Sequence, residues 1–154
     1  MSVTLFPAAD DDILWVADHM RDADLVEIEA AIGFDPYDAL KYSVSVSSEA
    51  WSAYAGGEPI ALFGVGTQSM LSRTGAPWLL GTDKLLDQRL SLVRLGKLFV
   101  ATWRTHYEVM LNFVHAKNVS SIQWLETIGF CVHDPVPWGV RGEMFHPFLA
   151  YGDF

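Results

Sequence analysis

Cysteine is all but missing: Cys131 is the single copy in 154 residues, so neither an internal disulfide nor a cysteine-rich zinc site can form. The five histidines are scattered without an HxxxH spacing, and no CxxC occurs, which sets a structural metal aside. Basic residues are short, ten Lys and Arg against nineteen Asp and Glu, and the resulting net charge of −9 disfavours a sequence-blind hold on nucleic-acid phosphates. No apolar run reaches the roughly 18 residues of a membrane span. Met1 to Asp10 lacks the basic start and apolar stretch of a signal peptide. These absences point to a reducing, cytoplasmic-type compartment, with no metal, nucleic acid or membrane among the expected partners. Repeats, low-complexity tracts and long Pro/Gly/Ser-rich linkers are also lacking, so residues 1–154 read as a single domain. Apolar residues are plentiful, 51% against 19% charged, enough for a real core.

The hydrophobic pattern changes period along the chain. Val3 to Phe6 is a β-prone run stopped by Pro7. Asp10-Asp11-Asp12 stands where first-turn carboxylates favour a helix carrying Ile13, Val16, Ala17 and Met20 inward. Helical stretches follow from Asp24 to about Ile32, ended by Gly33, and from Asp35-Pro36 to about Tyr42. Trp51 to Ala55 and Ile60 to Val65 flank Gly56-Gly57-Glu58-Pro59 and predict an antiparallel hairpin. After a polar loop over Thr67 to Gly75, Trp78-Leu79-Leu80 reads as a short buried strand. Leu92, Leu95, Phe99 and Trp103 then line one face of a long helix. Val109 to Val114 suits a central strand buried on both faces. Asn118 caps a further helix with Ile122, Leu125 and Ile128 inward and Gly129 at its end. Phe130 to Val132 and Met144 to Tyr151 are late strands separated by Pro135 and Pro137. The order predicts an α/β fold with a mixed sheet flanked by helices and a parallel strand pair in its middle.

This order, together with the Asn118 to Phe130 segment, resembles the GNAT superfamily of N-acetyltransferases, whose penultimate helix starts at Asn and ends in Gly-Phe. More narrowly, Arg21-Asp22-Ala23-Asp24 with Glu27, Trp51, Ile60 to Val65, Pro77 to Thr82 and Trp124-Leu125 is similar to GNAT-like proteins of tailed phages. Some of those are described as acetyltransferases and others as virion-assembly proteins. The resemblance implies direct attack of an amine on the thioester of acetyl-CoA. It further implies a gap opened between the strand ending at Leu80 and the strand Val109 to Val114. Backbone groups around Leu79, Leu80 and Gly81, with Thr82 beyond them, would hold the acetyl carbonyl and the cofactor arm.

The family's pyrophosphate loop, Gln/Arg-x-x-Gly-x-Gly/Ala, falls on Gln88-Arg89-Leu90-Ser91-Leu92-Val93, with Ser91 and Val93 in place of the glycines. Ser91 is tolerable there, whereas the Val93 side chain obstructs close backbone approach to a phosphate. By this resemblance Gln88, Arg89, Ser91 and Arg94 bind the cofactor, with Asn118 and Ser121 facing its arm. The family's tyrosine acid, seven residues after the leading Asn, is replaced by Leu125. Tyr107, His106, His115 or a water would then have to protonate the leaving thiolate.

The residues themselves permit plainer readings alongside these. Residues 73–117 carry seven basic residues against three acids, a local +4 that suits an anionic cofactor or an ordinary solvated helix face. His115, at a strand end, is a candidate catalytic base, since imidazole titrates near neutrality, or a surface histidine. Asn118 is a candidate catalytic and cofactor residue, or a cap worth about 1 kcal/mol. Glu27, Trp51 and Trp78 are candidate acceptor-binding residues. Residues 1–58 hold twelve acids and two bases, a lobe that would steer an amine or a basic protein surface toward the site. The expected activity is acetyl-CoA-dependent acylation of an amine, borne by a small molecule or a host or phage protein. The alternative is a non-catalytic fold relative serving virion assembly or binding a host protein, found in the host cytoplasm or the virion.

Overall fold

A computed structural model describes residues 2–69 and 71–154. The chain runs β1 (Thr4–Pro7), α1 (Asp10–Asp18), α2 (Asp22–Ala31), α3 (Pro36–Ser45), β2 (Ser47–Ala55), β3 (Glu58–Ser69) and β4 (Thr74–Gly81). A 3-10 turn (Asp83–Gln88) leads into α4 (Arg89–Trp103). β5 (Val109–His115), α5 (Val119–Ile128), β6 (Cys131–Val132), β7 (Val136–Trp138) and β8 (Glu143–Tyr151) follow.

Local chemistry sets most of these boundaries. Three aspartates occupy the first turn of α1, where they meet the positive end of the helix dipole. Asp35 caps α3 by accepting from Asp38 N at 2.9 Å, with Pro36 opening the helix. Gly56 and Gly57, at φ 62° and 81°, turn the β2–β3 hairpin. Gly129 ends α5 in the left-handed region at φ 117°.

The strands form one mixed sheet in the order β1-β2-β3-β4-β5-β8-β6, with β7 also on β8. All neighbours are antiparallel except β4 and β5. That parallel pair is short, limited to Thr74 opposite Val109 and Gly75 opposite Met110. From there the two strands part, so the sheet is split toward their C-terminal ends. Helices α1, α2 and α3 cover one face around Val16, Leu40, Leu62 and Leu80. Helices α4 and α5 cover the other around Val100, Trp103, Met110 and Phe148. The two helices meet closely at Gly96, where a Cβ would stand 2.7 Å from Ile128 Cγ2.

Two local expectations need correction. The loop expected over Thr67 to Gly75 is mostly strand, because β3 extends to Ser69 and β4 starts at Thr74; residue 70 of that loop lies outside the described residues. Pro137 does not merely separate strands. It sits inside β7, whose edge position on β8 tolerates a residue without an N–H. In α4 the fully buried positions are Gly96, Val100 and Trp103. Leu92, Leu95 and Phe99 are half-buried because they face a cavity rather than solid core.

A candidate active site at the split in the sheet

Where β4 and β5 separate, each leaves backbone groups without a strand neighbour. Thr82 N donates to Ile60 O on β3, while Gly81 N points the other way and donates to Asp24 Oδ2 at 2.9 Å. Pro77 O also points into the split, where it accepts from Asn112 Nδ2 on β5 at 2.9 Å. Strand alternation therefore turns Leu79, between Pro77 and Gly81, toward the split with both its N–H and its C=O. On the far side, His115 N donates to Glu27 Oε1 at 2.8 Å. Helix α2 thus lies across the opening, with Asp24 fastened to β4 and Glu27 to β5.

Arg21, one turn before Asp24, organises the polar cluster. Its Nε and Nη2 each donate to Asp24 at 2.9 Å, a buried bidentate pair. The same guanidinium donates to Asn118 Oδ1 at 3.2 Å, Ser120 Oγ at 3.1 Å and Ser121 Oγ at 2.6 Å. Asn118 Nδ2 reaches back toward Asp24 Oδ1 at 3.5 Å and Glu27 Oε1 at 3.4 Å. Asn118 occupies the N-cap position of α5, yet its side chain makes no capping bond. It links two carboxylates and an arginine instead, a role beyond that of a simple cap.

Burial pushes the Glu27 carboxyl up to about 7, with the neighbouring Asp24 carboxylate adding to the rise. The His115 N–H, the Asn118 amide and Arg21 oppose it. Burial also pushes Asp24 upward, against its bonds to Arg21, Gly81 N and Asn118. Both hydrogen bonds of Glu27 fall on Oε1. Since no buried side-chain polar atom among the described residues lacks a partner, Oε2 keeps open surface. Glu27 lines a cavity of about 660 Å³.

The cavity passes through the split. On one side it touches Ile28, Tyr42 and Trp78, and on the other Leu92, Phe99, Trp124 and Leu125. A smaller pocket of about 180 Å³ lies between the 3-10 turn, the start of α4 and the start of α5. Its polar lining includes Arg21, Arg89, Ser120 and Ser121, and Ser121 also lines the larger cavity. The 15-residue α4 starts at Arg89, which lines this pocket, and a helix start is a setting suited to anionic oxygens.

The residues singled out from sequence are distributed unevenly around this site. Glu27, Trp78, Leu80 and Ser121 line the cavity, and Arg89 and Ser121 line the smaller pocket. Gly81 and Asn118 belong to the polar cluster. Thr82 caps the 3-10 turn by accepting from Lys84 N at 3.3 Å, and Gln88 takes the N-cap position of α4 without a side-chain bond. Ser91 and Arg94 line neither cavity, whereas Val93 walls the smaller pocket. Trp51 also lies off both: its Nε1 donates to Glu49 Oε2 at 3.0 Å, and its ring tilts against Phe99. His115 is buried with both ring nitrogens engaged. Nδ1 accepts from Lys117 N at 3.2 Å, which makes Nε2 the N–H that donates to Glu143 Oε1 at 2.9 Å. Sequence reasoning missed the pairing of Asp24 with Glu27, although their three-residue spacing put both on one helix face.

Among the described residues no group of three or more His, Cys, Asp and Glu is placed to hold a metal ion. None of their helices is long and apolar enough to cross a membrane.

A mixed sheet split at its parallel β4–β5 pair, with helices on both faces and a cavity through the split, is the architecture of the GNAT fold. Solved structures share it over nearly the whole chain. Spermidine N-acetyltransferase from Vibrio cholerae, solved in complex with CoA and spermine, matches with a TM-score of 0.72 at 11% identity, covering 97% of this chain and 95% of that one. Ard1 from Thermoplasma volcanium matches with a TM-score of 0.73 at 15% identity and 99% coverage of both. The protein yncA from Salmonella typhimurium, solved with its cofactor acetyl-CoA, gives 0.71 at 15% identity, covering 100% and 96%. No protein-family model matches the sequence, and no curated protein does.

Proposed function

We propose that this chain, read as one GNAT-fold unit over residues 1–154, is an acetyl-CoA-dependent N-acetyltransferase that acylates an amine. The observation that carries the reading is the cavity through the β4–β5 split, with the half-buried Glu27 carboxylate at one side and a pocket lined by two arginines at the other. The GNAT-fold neighbours solved with CoA or acetyl-CoA support it.

Acetyl-CoA is the co-substrate, and the residues present fit it in part. Arg21 and Arg89 with the α4 N-terminus suit its phosphates, and the split suits its pantetheine arm. Val93, standing where the family has glycine, narrows the approach to the α4 backbone. Glu27, in its carboxylate form, takes a proton from the acceptor ammonium and leaves the free amine. The amine nitrogen then bonds to the acetyl carbon, the C–S bond breaks, and the amide nitrogen's surplus proton leaves to solvent. Leu79 N–H is the donor turned toward the carbonyl oxygen in the split. Ser121 accepts a hydrogen bond from Arg21 and retains its own O–H, which it offers to the departing thiolate where the family's tyrosine is replaced by Leu125. Solvent then protonates the thiolate. His115 is assigned to holding the β5 end rather than to proton transfer, because both ring nitrogens are occupied.

The deciding experiment is calorimetric titration of the purified protein with acetyl-CoA, with CoA and a non-nucleotide thioester as comparisons. Micromolar binding of the two nucleotides and none of the simple thioester is the expected result. No binding at millimolar ligand overturns the reading and favours the second one, a GNAT-fold protein that serves phage assembly or binds a host protein. That second reading draws on the tailed-phage resemblance, on Leu125, and on a 3-10 turn bearing Asp83 and Asp87 beside the basic pocket.

A further inference from the structure

The lining of the large cavity restricts what kind of amine it can take. Glu27 is its one carboxylate among the described residues, and no Lys, Arg or His lines it. The other acids of the N-terminal lobe lie elsewhere: Glu29 pairs with Arg141 at the surface, Asp12 holds Ser52 and Tyr54, and Asp24 is consumed by Arg21 and Gly81 N. On the α2–α3 side the wall is built from Ile28, Ile32, Tyr42, Trp78, Phe113 and Trp138. Phe113 and Trp138 stack face to face, with centroids 4.3 Å apart at 9°, and present a flat apolar surface. An ammonium group taken out of water needs a partner, and this cavity supplies one. A second ammonium on the same molecule would find no second carboxylate along the lining, only uncharged walls.

We propose that the acceptor is a primary monoamine carrying an apolar, preferably aromatic, body, with its nitrogen at Glu27 and its body against Tyr42, Trp78 and Trp138. The proposal rests on the acyltransferase reading for its chemistry, but the recognition step is separate and can be measured alone. It sets this chain apart from the neighbour solved with spermine, a polyamine. The exposed acids of the lobe attract mono- and polycations alike, so discrimination has to come from the cavity wall and is retained when salt screens the surface.

The test is a titration of intrinsic tryptophan fluorescence, to which Trp78 and Trp138 contribute, at 0.3 M salt and pH 8. The probes are 2-phenylethylamine, its neutral analogue 2-phenylethanol, and spermidine. Phenylethylamine is expected to bind at least tenfold more tightly than either of the others. In Glu27→Gln, whose amide keeps an acceptor for His115 N, the preference for the amine over the alcohol disappears. In Ser43→Glu, which adds a carboxylate to the cavity wall, spermidine binding strengthens about tenfold. Spermidine binding as tightly as phenylethylamine in the unaltered protein, or no fluorescence response to any amine, overturns the proposal. Release of free thiol from acetyl-CoA is followed in parallel. Amine binding in the expected order without thiol release refutes the acyltransferase reading alone. Thiol release with spermidine as the better acceptor refutes the monoamine assignment alone.

Discussion

Asp24 and Glu27, one turn apart on α2, hold opposite sides of the same opening: Asp24 accepts from Gly81 N on β4 and Glu27 from His115 N on β5. The two carboxylates experience different surroundings. Asp24 is bound by a guanidinium in bidentate fashion, whereas Glu27 has an amide, a backbone N–H and an open side. Environments that separate two neighbouring acids in this way are how a site assigns one a structural and the other a chemical task.

For catalysis, the rate of thiol release is expected to rise tenfold per pH unit below about 7 and to level off above it, as Glu27 reaches its carboxylate form. Glu27→Gln lowers the plateau by roughly 100-fold or more and flattens the profile. A Glu27→Gln enzyme that retained the wild-type profile would remove Glu27 from proton transfer.

The same group makes stability depend on pH with the opposite sign. Its folded pKa of about 7 lies above the ordinary value of 4.5, so between these values the native state binds more protons than the unfolded chain. Stability therefore falls as pH rises through that window, by up to about 3 kcal/mol. Glu27→Gln is expected to match the wild type in urea unfolding at pH 4.5 and to exceed it at pH 8. A parallel pH dependence in both proteins would contradict the assignment.

Arg89 and Arg94 were equal candidates in the sequence, but only Arg89 lines the pocket beside α5. Arg89→Ala is expected to weaken CoA binding by roughly 10-fold or more, in line with the loss of a charge-assisted hydrogen bond. Arg94→Ala should leave calorimetric affinity almost unchanged. Equal losses would place the phosphates along the exposed flank of α4 instead.

Trp103 is 4% exposed and donates its indole N–H to Glu49. Trp103→Ala is expected to cost about 3–5 kcal/mol, measured by chemical unfolding, and Trp103→Phe less. Full stability in the alanine variant would show that the inner face of α4 has been placed wrongly.

Much of the element order was legible because it rests on local signals: Asp35-Pro36, Gly56-Gly57, Gly129, and the apolar runs of β3 and β5. Leu92, Leu95 and Phe99 do share one helix face, as their spacing implied, yet periodicity does not tell a packed interior from a lined cavity. The candidate site was legible in its parts and not in its connections. Arg21, Asp24, Glu27, Asn118 and Ser121 all stood out, but nearly a hundred positions separate Arg21 from its partners on α5. Only the return of α2 across the split brings them together. His115 illustrates the reverse case: its strand-end position was visible, while the Glu143 that occupies its ring depends on the β5–β8 register.

The brevity of the parallel contact makes β4 and β5 act like the arms of tweezers hinged at Thr74–Val109 and Gly75–Met110. Helix α2 is then the spacer that sets how far the tips stand apart, since each arm is tied to it by one carboxylate. The aperture is accordingly governed from a segment that belongs to neither strand. Lengthening or shortening either tether, as in Asp24→Glu or Glu27→Asp, resets the width of the opening, without altering any residue of the sheet.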